Sequence, residues 1–395
     1  MNHKKLLRQF MSVLSGRLVS TGLQAISIVF LARWVTPVQL GYCMTLLGVM
    51  NTLHSVGDVG ATTYITRRVA ACGMDTGSIT AQRFSLYITS LLGVLALGAC
   101  VTLSLLEIID LYSLLPLWGW FAIERAAMVR NAVWMGLGHV TKTTRDLTIR
   151  RFLALALFLG FAFGGLDPLF SFAMGSFIGS LIAFMVFRNI PTQIEEIEMS
   201  WKTVFQESKH YWVHSFALQA RNLDALIVST LAGPLQAGFY GLGSRLIAPL
   251  RMLPTSLSSV VLPWFARPDN THESPMRLLG GMTAIMAIPY LILIGVMPFA
   301  VVPLFGENYA GAVLPLQIIC LGLVVSSSTS IASSVLQAKG FGHIVSAISV
   351  WSSLYVLALI GVGAYIQGSV GAAMGYSTGS AIHTLVLVVA LKRYQ

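Results

Sequence analysis

Eight ionisable side chains fall inside long apolar runs of the sequence: Arg17, Glu124, Arg125, Arg130, Arg221, Asp224, Arg245 and Arg251. At the centre of a bilayer each costs about 3 kcal/mol, and eight facing hydrocarbon would cost on the order of 20 kcal/mol. They must therefore meet water or a polar partner. Arginines near the end of a run can extend their stems to the interface, which suits Arg17 and Arg130 at one end and Arg245 at the other. Arg125, Arg221 and Arg251 stand about ten residues from either end of their runs, or about 15 Å of helix, beyond that reach. Three polar stripes recur at helical spacing: Arg17, Ser20, Thr21, Gln24 and Ser27; His210, His214, Ala217, Arg221 and Asp224; and Gly241, Ser244, Ala248, Arg251, Thr255 and Ser258. Arg221 and Asp224, three apart, can pair on one helix face, which would serve packing as well as function. Six arginines against two carboxylates leave positive charge unmatched. The planar guanidinium fork suits phosphate and never loses its proton. The expectation is a water-filled cavity that binds an anion. Its cations would be Arg17, Arg125, Arg221, Arg245 and Arg251, with Glu124 and Asp224 as coupling or ion-pair acids.

The elements that must position these groups are legible from composition. Of 395 residues, 10% are charged and 55% hydrophobic, with a mean hydropathy of +0.76, which excludes a water-soluble globule. Apolar runs of about 20 residues predict about twelve membrane helices. They cover 10–33, 38–57, 84–106, 112–135, 147–166 and 168–187, then 210–232, 238–261, 280–302, 312–336, 344–366 and 369–391. The net charge of +10 comes from scattered basic residues and calls for no nucleic-acid partner. Scored by loop, eighteen Lys and Arg fall on one face and Arg33 alone on the other, which predicts that both termini are cytoplasmic. The basic start MNHKKLLRQF leads into a run without a convincing cleavage site and reads as a retained first helix.

PVQLGY from Pro37 returns as PLQAGFY from Pro234, about half a chain later, which suggests a duplicated six-helix unit. The fold class is thus an all-α polytopic membrane protein with two six-helix lobes related by a pseudo-two-fold along the membrane normal. The lobes are 1–188 and 209–395, joined by a cytoplasmic linker at 189–208. In that linker Ile194, Ile197, Trp201, Val204 and Phe205 recur at helical spacing, as an interfacial helix would require, although a solvated linker fits as well. Pro249, Pro254, Pro289, Pro298 and Pro315, with the serine-rich stretch from Ser326, suit bent helices. Gly371, Gly375 and Gly379 suit a close helix contact. Cys43, Cys72, Cys100 and Cys320 are far apart and read as packing thiols. Phosphate-binding loop, zinc-protease and serine-nucleophile motifs are absent, and His210 and His214 lack a third ligand. The reading is therefore not an enzyme, with no cofactor and no metal.

Several segments together resemble a known group. These are DALIVSTLAGPLQAGFYGLGSRL from Asp224, PLFGENYAGAVLPLQII from Pro303, GDVGATTYITRR from Gly57, and QAKG ending at Gly340. In order and at the right depths, they are similar to the Wzx-type O-antigen and exopolysaccharide flippases, the polysaccharide-transport branch of the multidrug/oligosaccharidyl-lipid/polysaccharide (MOP) superfamily. The resemblance implies a MATE-like pair of six-helix lobes around a cavity, in a bacterial inner membrane, working by alternating access. The implied substrate is an oligosaccharide on undecaprenyl pyrophosphate. The lipid bilayer and the polysaccharide polymerase and chain-length proteins are the implied partners. Asp224 and Arg245 are the family-like intramembrane positions. A multidrug or metabolite antiporter of the related MATE branch is the alternative, and would need cavity acids for organic cations. A membrane transferase would need larger outer loops than this chain has.

Overall fold

The computed structural model describes residues 3–105, 112–187, 200–208, 212, 220–247, 250, 275–338 and 341–393. Among them the chain is helical, without strands. In order the helices are α1 (His3–Trp34), α2 (Pro37–Asp58), α3 (Ala61–Cys72), α4 (Thr76–Leu105), α5 (Pro116–Gly136), α6 (Val140–Phe163) and α7 (Pro168–Val186). They continue as α8 (Asp224–Ala232), α9 (Pro234–Leu246), α10 (Pro275–Phe305), α11 (Val313–Ala338) and α12 (Gly342–Arg393). Proline opens α2, α5, α7, α9 and α10, where its missing N–H would have had no helical partner. Asp167 caps α7 by accepting from the Phe170 N–H at 2.8 Å. Thr36 and Gln39 form a reciprocal capping box at the start of α2.

Two compact units result. The first holds residues 1–27 and 49–219, the second 28–48 and 220–395. The tip of the α1–α2 hairpin thus belongs with the second unit, and residues 201–208, expected as linker, belong with the first. That short segment is helical and buries Val204 against Ala61, Tyr64, Ile65 and Val69 of α3, while Trp201 stays exposed beside Phe84. Helix α3 is a second departure from the hydropathy reading. Its 12 residues carry Arg67 and Arg68, so it is too short and too charged to register as a crossing. Gly60, at φ +74°, opens it in a conformation glycine tolerates, and a methyl there would strike the Ser208 carbonyl.

Helices long and apolar enough to cross a membrane include Thr76–Thr102, Pro168–Val186, Thr283–Phe305 and Glu307–Leu336. The 51-residue stretch His343–Arg393 also qualifies. At 1.5 Å per residue that stretch is more than twice the roughly 30 Å hydrocarbon thickness. It breaks at Gln367 and Gly368, leaving two crossings. Gln236 of α9 covers the break, its Oε1 accepting from the N–H (2.9 Å) and hydroxyl (2.6 Å) of Ser369. Beyond the break Gly371 and Gly375 pass backbone to backbone against Gly363 and Leu359, the close contact their spacing predicted. Ser327 and Ser328 of α11 bond back to the carbonyls three residues earlier, and Ser328 also meets Thr283 of α10.

The repeated motif has a structural meaning inside the second unit. A methyl on Gly41 would collide with the Pro234 carbonyl, and one on Gly238 would collide with the Pro37 carbonyl. The two copies therefore face each other reciprocally, as a local two-fold contact requires. Tyr309 fastens the same region by donating to the Val35 carbonyl at 3.1 Å, and Arg33 donates to the Pro303 carbonyl at 3.2 Å. Gly41→Ala and Gly238→Ala should each lower stability by about 1–3 kcal/mol, read as melting temperature in detergent. Gly98→Ala, which meets open space, should not. Equal melting temperatures for all three variants would contradict the contact.

Candidate functional site

In the first unit, α2 ends at Asp58 just before Val59, a β-branched residue at φ +50°, and Gly60. This turn aims the Asp58 carboxylate at three donors. It caps α3 through the Thr62 N–H (3.1 Å) and hydroxyl, and it accepts from Arg125 Nη2 of α5 at 2.5 Å. Arg125 also reaches the Ser85 hydroxyl, which donates on to the Gly57 carbonyl at 3.0 Å. Gly57 has no room for a side chain because Thr89 of α4 presses on it.

A second cluster joins α5 to α6. Glu124 faces Arg150 (2.9 Å) and Arg151 (3.1 Å), while Asp146 accepts from Arg130 (2.7 Å), Asn131 (2.9 Å) and Arg150 (3.1 Å). Asp146 and Arg150 are four residues apart on one helix face. Arg130 also donates to the Phe184 carbonyl at 2.7 Å and lies between the rings of Trp134 and Phe184. Glu124, Arg125, Arg130, Asp146 and Arg150 are all at most 2% exposed. Within this network three carboxylates face four guanidiniums, a surplus of one positive charge.

Asp58, Glu124, Arg125, Asn131, Arg150 and Arg151 of these clusters wall a cavity of about 620 Å³ within the first unit, a size that accommodates a small organic ligand. Several buried atoms of its lining have no hydrogen-bond partner: His54 Nδ1, Ser55 Oγ, Asn131 Oδ1 and Thr143 Oγ1. Arg150 Nη1 approaches Glu124 closely enough for charge attraction but is misaligned for a hydrogen bond, leaving its N–H groups available. Arg151, whose side chain is 19% exposed, is the accessible cation of the wall. Unpaired buried polar atoms are costly, so the polar part of this lining, set among Met128, Ala132, Met135 and Leu147, suits water or a ligand that carries both polar and apolar surface.

A profile of the family described as polysaccharide biosynthesis protein matches residues 6–268. The chain belongs to that family. The lipopolysaccharide biosynthesis protein WzxC of Escherichia coli (strain K12) is 25% identical over 171 residues, and that match spans 42% of this chain and 35% of WzxC. Among solved structures, the inward-facing conformation of a multidrug resistance MATE family transporter of the MOP superfamily superposes with a TM-score of 0.75. Its identity is 12%, over 95% of this chain and 94% of the other. A MOP superfamily transporter from Pyrococcus furiosus, for which a reversed polarity of the binding pocket suggests a different function, gives 0.67 at 15% identity over 98% and 95%. The fold is therefore the MOP transporter fold.

Within this family member the sequence-predicted residues separate into two places. Glu124 and Arg125 line the first-unit cavity. Asp224 and Arg245 line a second cavity of about 270 Å³ in the second unit, together with Asn222, Ser244 and Tyr376. There the Asp224 carboxylate accepts from its neighbour's N–H, Ala225, at 2.7 Å and from the Tyr240 hydroxyl at 3.2 Å. The side chains of Arg17 and Arg221, and the whole of Arg251, His210 and His214, lie outside the described residues.

The count of unmatched arginines requires correction. Arg125 has Asp58, and Arg130 is buried against Asp146 rather than extended to the interface. Both acids sit at the very edge of an apolar run, where a hydropathy reading assigns them to loops, whereas the helices carry them into the protein. Arg150 and Arg151 stand near the start of the run 147–166, and loop scoring counts them among the eighteen basic residues of the cytoplasmic face. His54 carried no sequence signal at all.

Breaking a buried ion pair on one side leaves the other charge stranded, at about 3–5 kcal/mol. Arg125→Gln should accordingly lower membrane abundance and melting temperature, and the double variant Asp58→Asn/Arg125→Gln should recover part of the loss. Additive losses in the double variant would show that the two groups do not support one another.

Proposed function

We propose that this protein is a secondary transporter that flips oligosaccharide units linked to undecaprenyl pyrophosphate across a bacterial inner membrane, for assembly of surface polysaccharide. The observation that carries the reading is the first-unit cavity: its charged wall holds one guanidinium in excess, and beside the apolar Met128, Ala132, Met135 and Leu147 its lining offers Ser55, Thr143, Asn131 and His54 with unused hydrogen-bonding capacity. Guanidinium N–H groups suit a phosphate or an acidic sugar, and neutral donors and acceptors suit sugar hydroxyls. A head group of that chemistry could cross inside the protein while its polyprenyl tail remained in lipid.

Movement would follow from alternating access, with the ligand biasing an equilibrium between two arrangements of the six-helix lobes at 1–188 and 209–395. The positive-inside distribution of Lys and Arg supports cytoplasmic termini. Arg17, Arg125, Arg221, Arg245 and Arg251 are the proposed substrate-binding cations, and Arg151 joins them on its place in the first-unit cavity wall. Membrane potential would supply about 2.3 kcal/mol per charge per 100 mV. Polysaccharide polymerase and chain-length proteins are the proposed partners downstream. Export of organic cations is disfavoured because Asp58, Glu124 and Asp146 are each already held by arginine.

In a host deleted for the gene and complemented with variants, Arg151→Gln, Arg221→Gln and Arg251→Gln should reach normal membrane abundance yet reduce surface polysaccharide. The reduction should be about ten-fold, corresponding to one charge-assisted hydrogen bond. Full surface polysaccharide from all three at normal abundance would reject the proposed role of these cations.

A further inference from the structure

The geometry points to His54 as the proton-binding residue of the first-unit cavity, one whose charging strengthens the cavity's hold on an anionic head group. The inference rests on the ligand reading above and adds to it how the site is regulated. His54 lies on α2 and is 3% exposed. Its ring stacks on Phe121 at 4.2 Å with an interplanar angle of 5°, and Trp120 closes on it at 6.1 Å. Nε2 stands 2.8 Å from the Phe121 carbonyl oxygen. A carbonyl can only accept, so Nε2 carries the proton of the neutral ring and Nδ1 presents a bare lone pair. Nδ1 is buried and has no partner, and His54 is one of the residues that line the cavity.

The surroundings single out this nitrogen. The charged groups acting on it are Asp58 from its own helix and Glu124 and Arg125 from α5, with Arg150 and Arg151 of α6 on the same cavity wall. Protonating Glu124 would weaken its contacts to Arg150 and Arg151. Protonating Asp58 would weaken those to Arg125 and Thr62, and protonating Asp146 those to Arg130, Arg150 and Asn131. A proton arriving at Nδ1 from solvent displaces no existing hydrogen bond. The resulting N–H turns an acceptor into a donor on a residue of the cavity wall and raises the wall's surplus from one positive charge to two. Proton and anion then bind with mutual reinforcement, because linkage is reciprocal.

The test uses the full chain in nanodiscs, with undecaprenyl pyrophosphate as the probe. Binding is measured at about pH 4.5 and about pH 7.5, an interval that extends below the range in which a free imidazole titrates. The forms compared are wild type, His54→Gln, which retains a donor for the Phe121 carbonyl, and His54→Asn. Titration of the probe's own phosphates is common to all forms, so the informative quantity is the acid-to-neutral affinity ratio of wild type relative to each variant. That relative ratio should be about 5- to 100-fold. Equal ratios in wild type and both variants, with binding otherwise intact, would overturn the role of His54 and leave the flippase reading standing. No binding by any form at either pH would overturn both. Should the variants fail to accumulate, hydrogen–deuterium exchange at the His54 ring carbon of the wild type decides the matter. An exchange rate that follows a titration curve moved to higher pH by the probe supports the proposal, and one indifferent to the probe overturns it.

Discussion

The interior of the first unit depends on guanidinium–carboxylate pairing away from bulk water. A lone charge at that depth would be severely penalised. A well-placed pair roughly balances its own desolvation, but in doing so fixes the relative position of the helices that carry it. Apolar helices in lipid have little other reason to choose one register over another, since hydrocarbon receives Leu and Ile as readily as a neighbouring helix does. Asp58 joins α2, α3 and α5; Glu124 and Asp146 join α5 to α6; and Arg130 reaches on to the α7 carbonyl of Phe184. Asp58, Glu124, Arg125 and Arg150 belong both to this bracing and to the cavity wall, whereas Asp146 and Arg130 belong to the bracing alone.

How far this was readable follows from what hydropathy measures. The predicted runs 84–106, 168–187, 280–302 and 312–336 coincide with long apolar helices, whereas 210–232 and 238–261 fall partly outside the described residues; the break at Gln367 and Gly368 falls between the predicted 344–366 and 369–391. Helix α3 escaped notice because Arg67 and Arg68 lower its apolarity, although Ala61, Tyr64, Ile65 and Val69 form one buried face. Assignment of residues 28–48 to the second unit could not be read from a linear pattern. The echo of PVQLGY in PLQAGFY was visible, but that Gly41 and Gly238 each meet the other copy's opening proline depends on three-dimensional contact.

Charges were the harder part, for a definite reason. Windows of hydropathy divide a helix into a membrane core and loops, and Asp58 and Asp146 lie one residue outside such windows. The Asp146–Arg150 spacing was a usable signal, since residues four apart on a helix share a face. Arg150 was nevertheless counted as a loop cation. His54 could not have been identified by spacing, because its significance lies in the Phe121 carbonyl that fixes one ring nitrogen while the other stays buried without a partner.

The near-neutral wall also bears on how a transporter of this fold would work. A pocket with several uncompensated guanidiniums in a low-dielectric setting would grip a pyrophosphate strongly, and strong binding in one state deepens a well from which release must climb. Translocation is helped by differential affinity between states, and tightness common to both shifts nothing. A wall in which carboxylates already occupy most of the guanidinium valence would let the proposed anion compete for hydrogen bonds and leave again. Small rearrangements of Glu124, Arg150 and Arg151 would then alter the balance by about a single charge. Such a site would trade maximal affinity for reversibility, which the proposed carrier role needs and a permanent receptor does not.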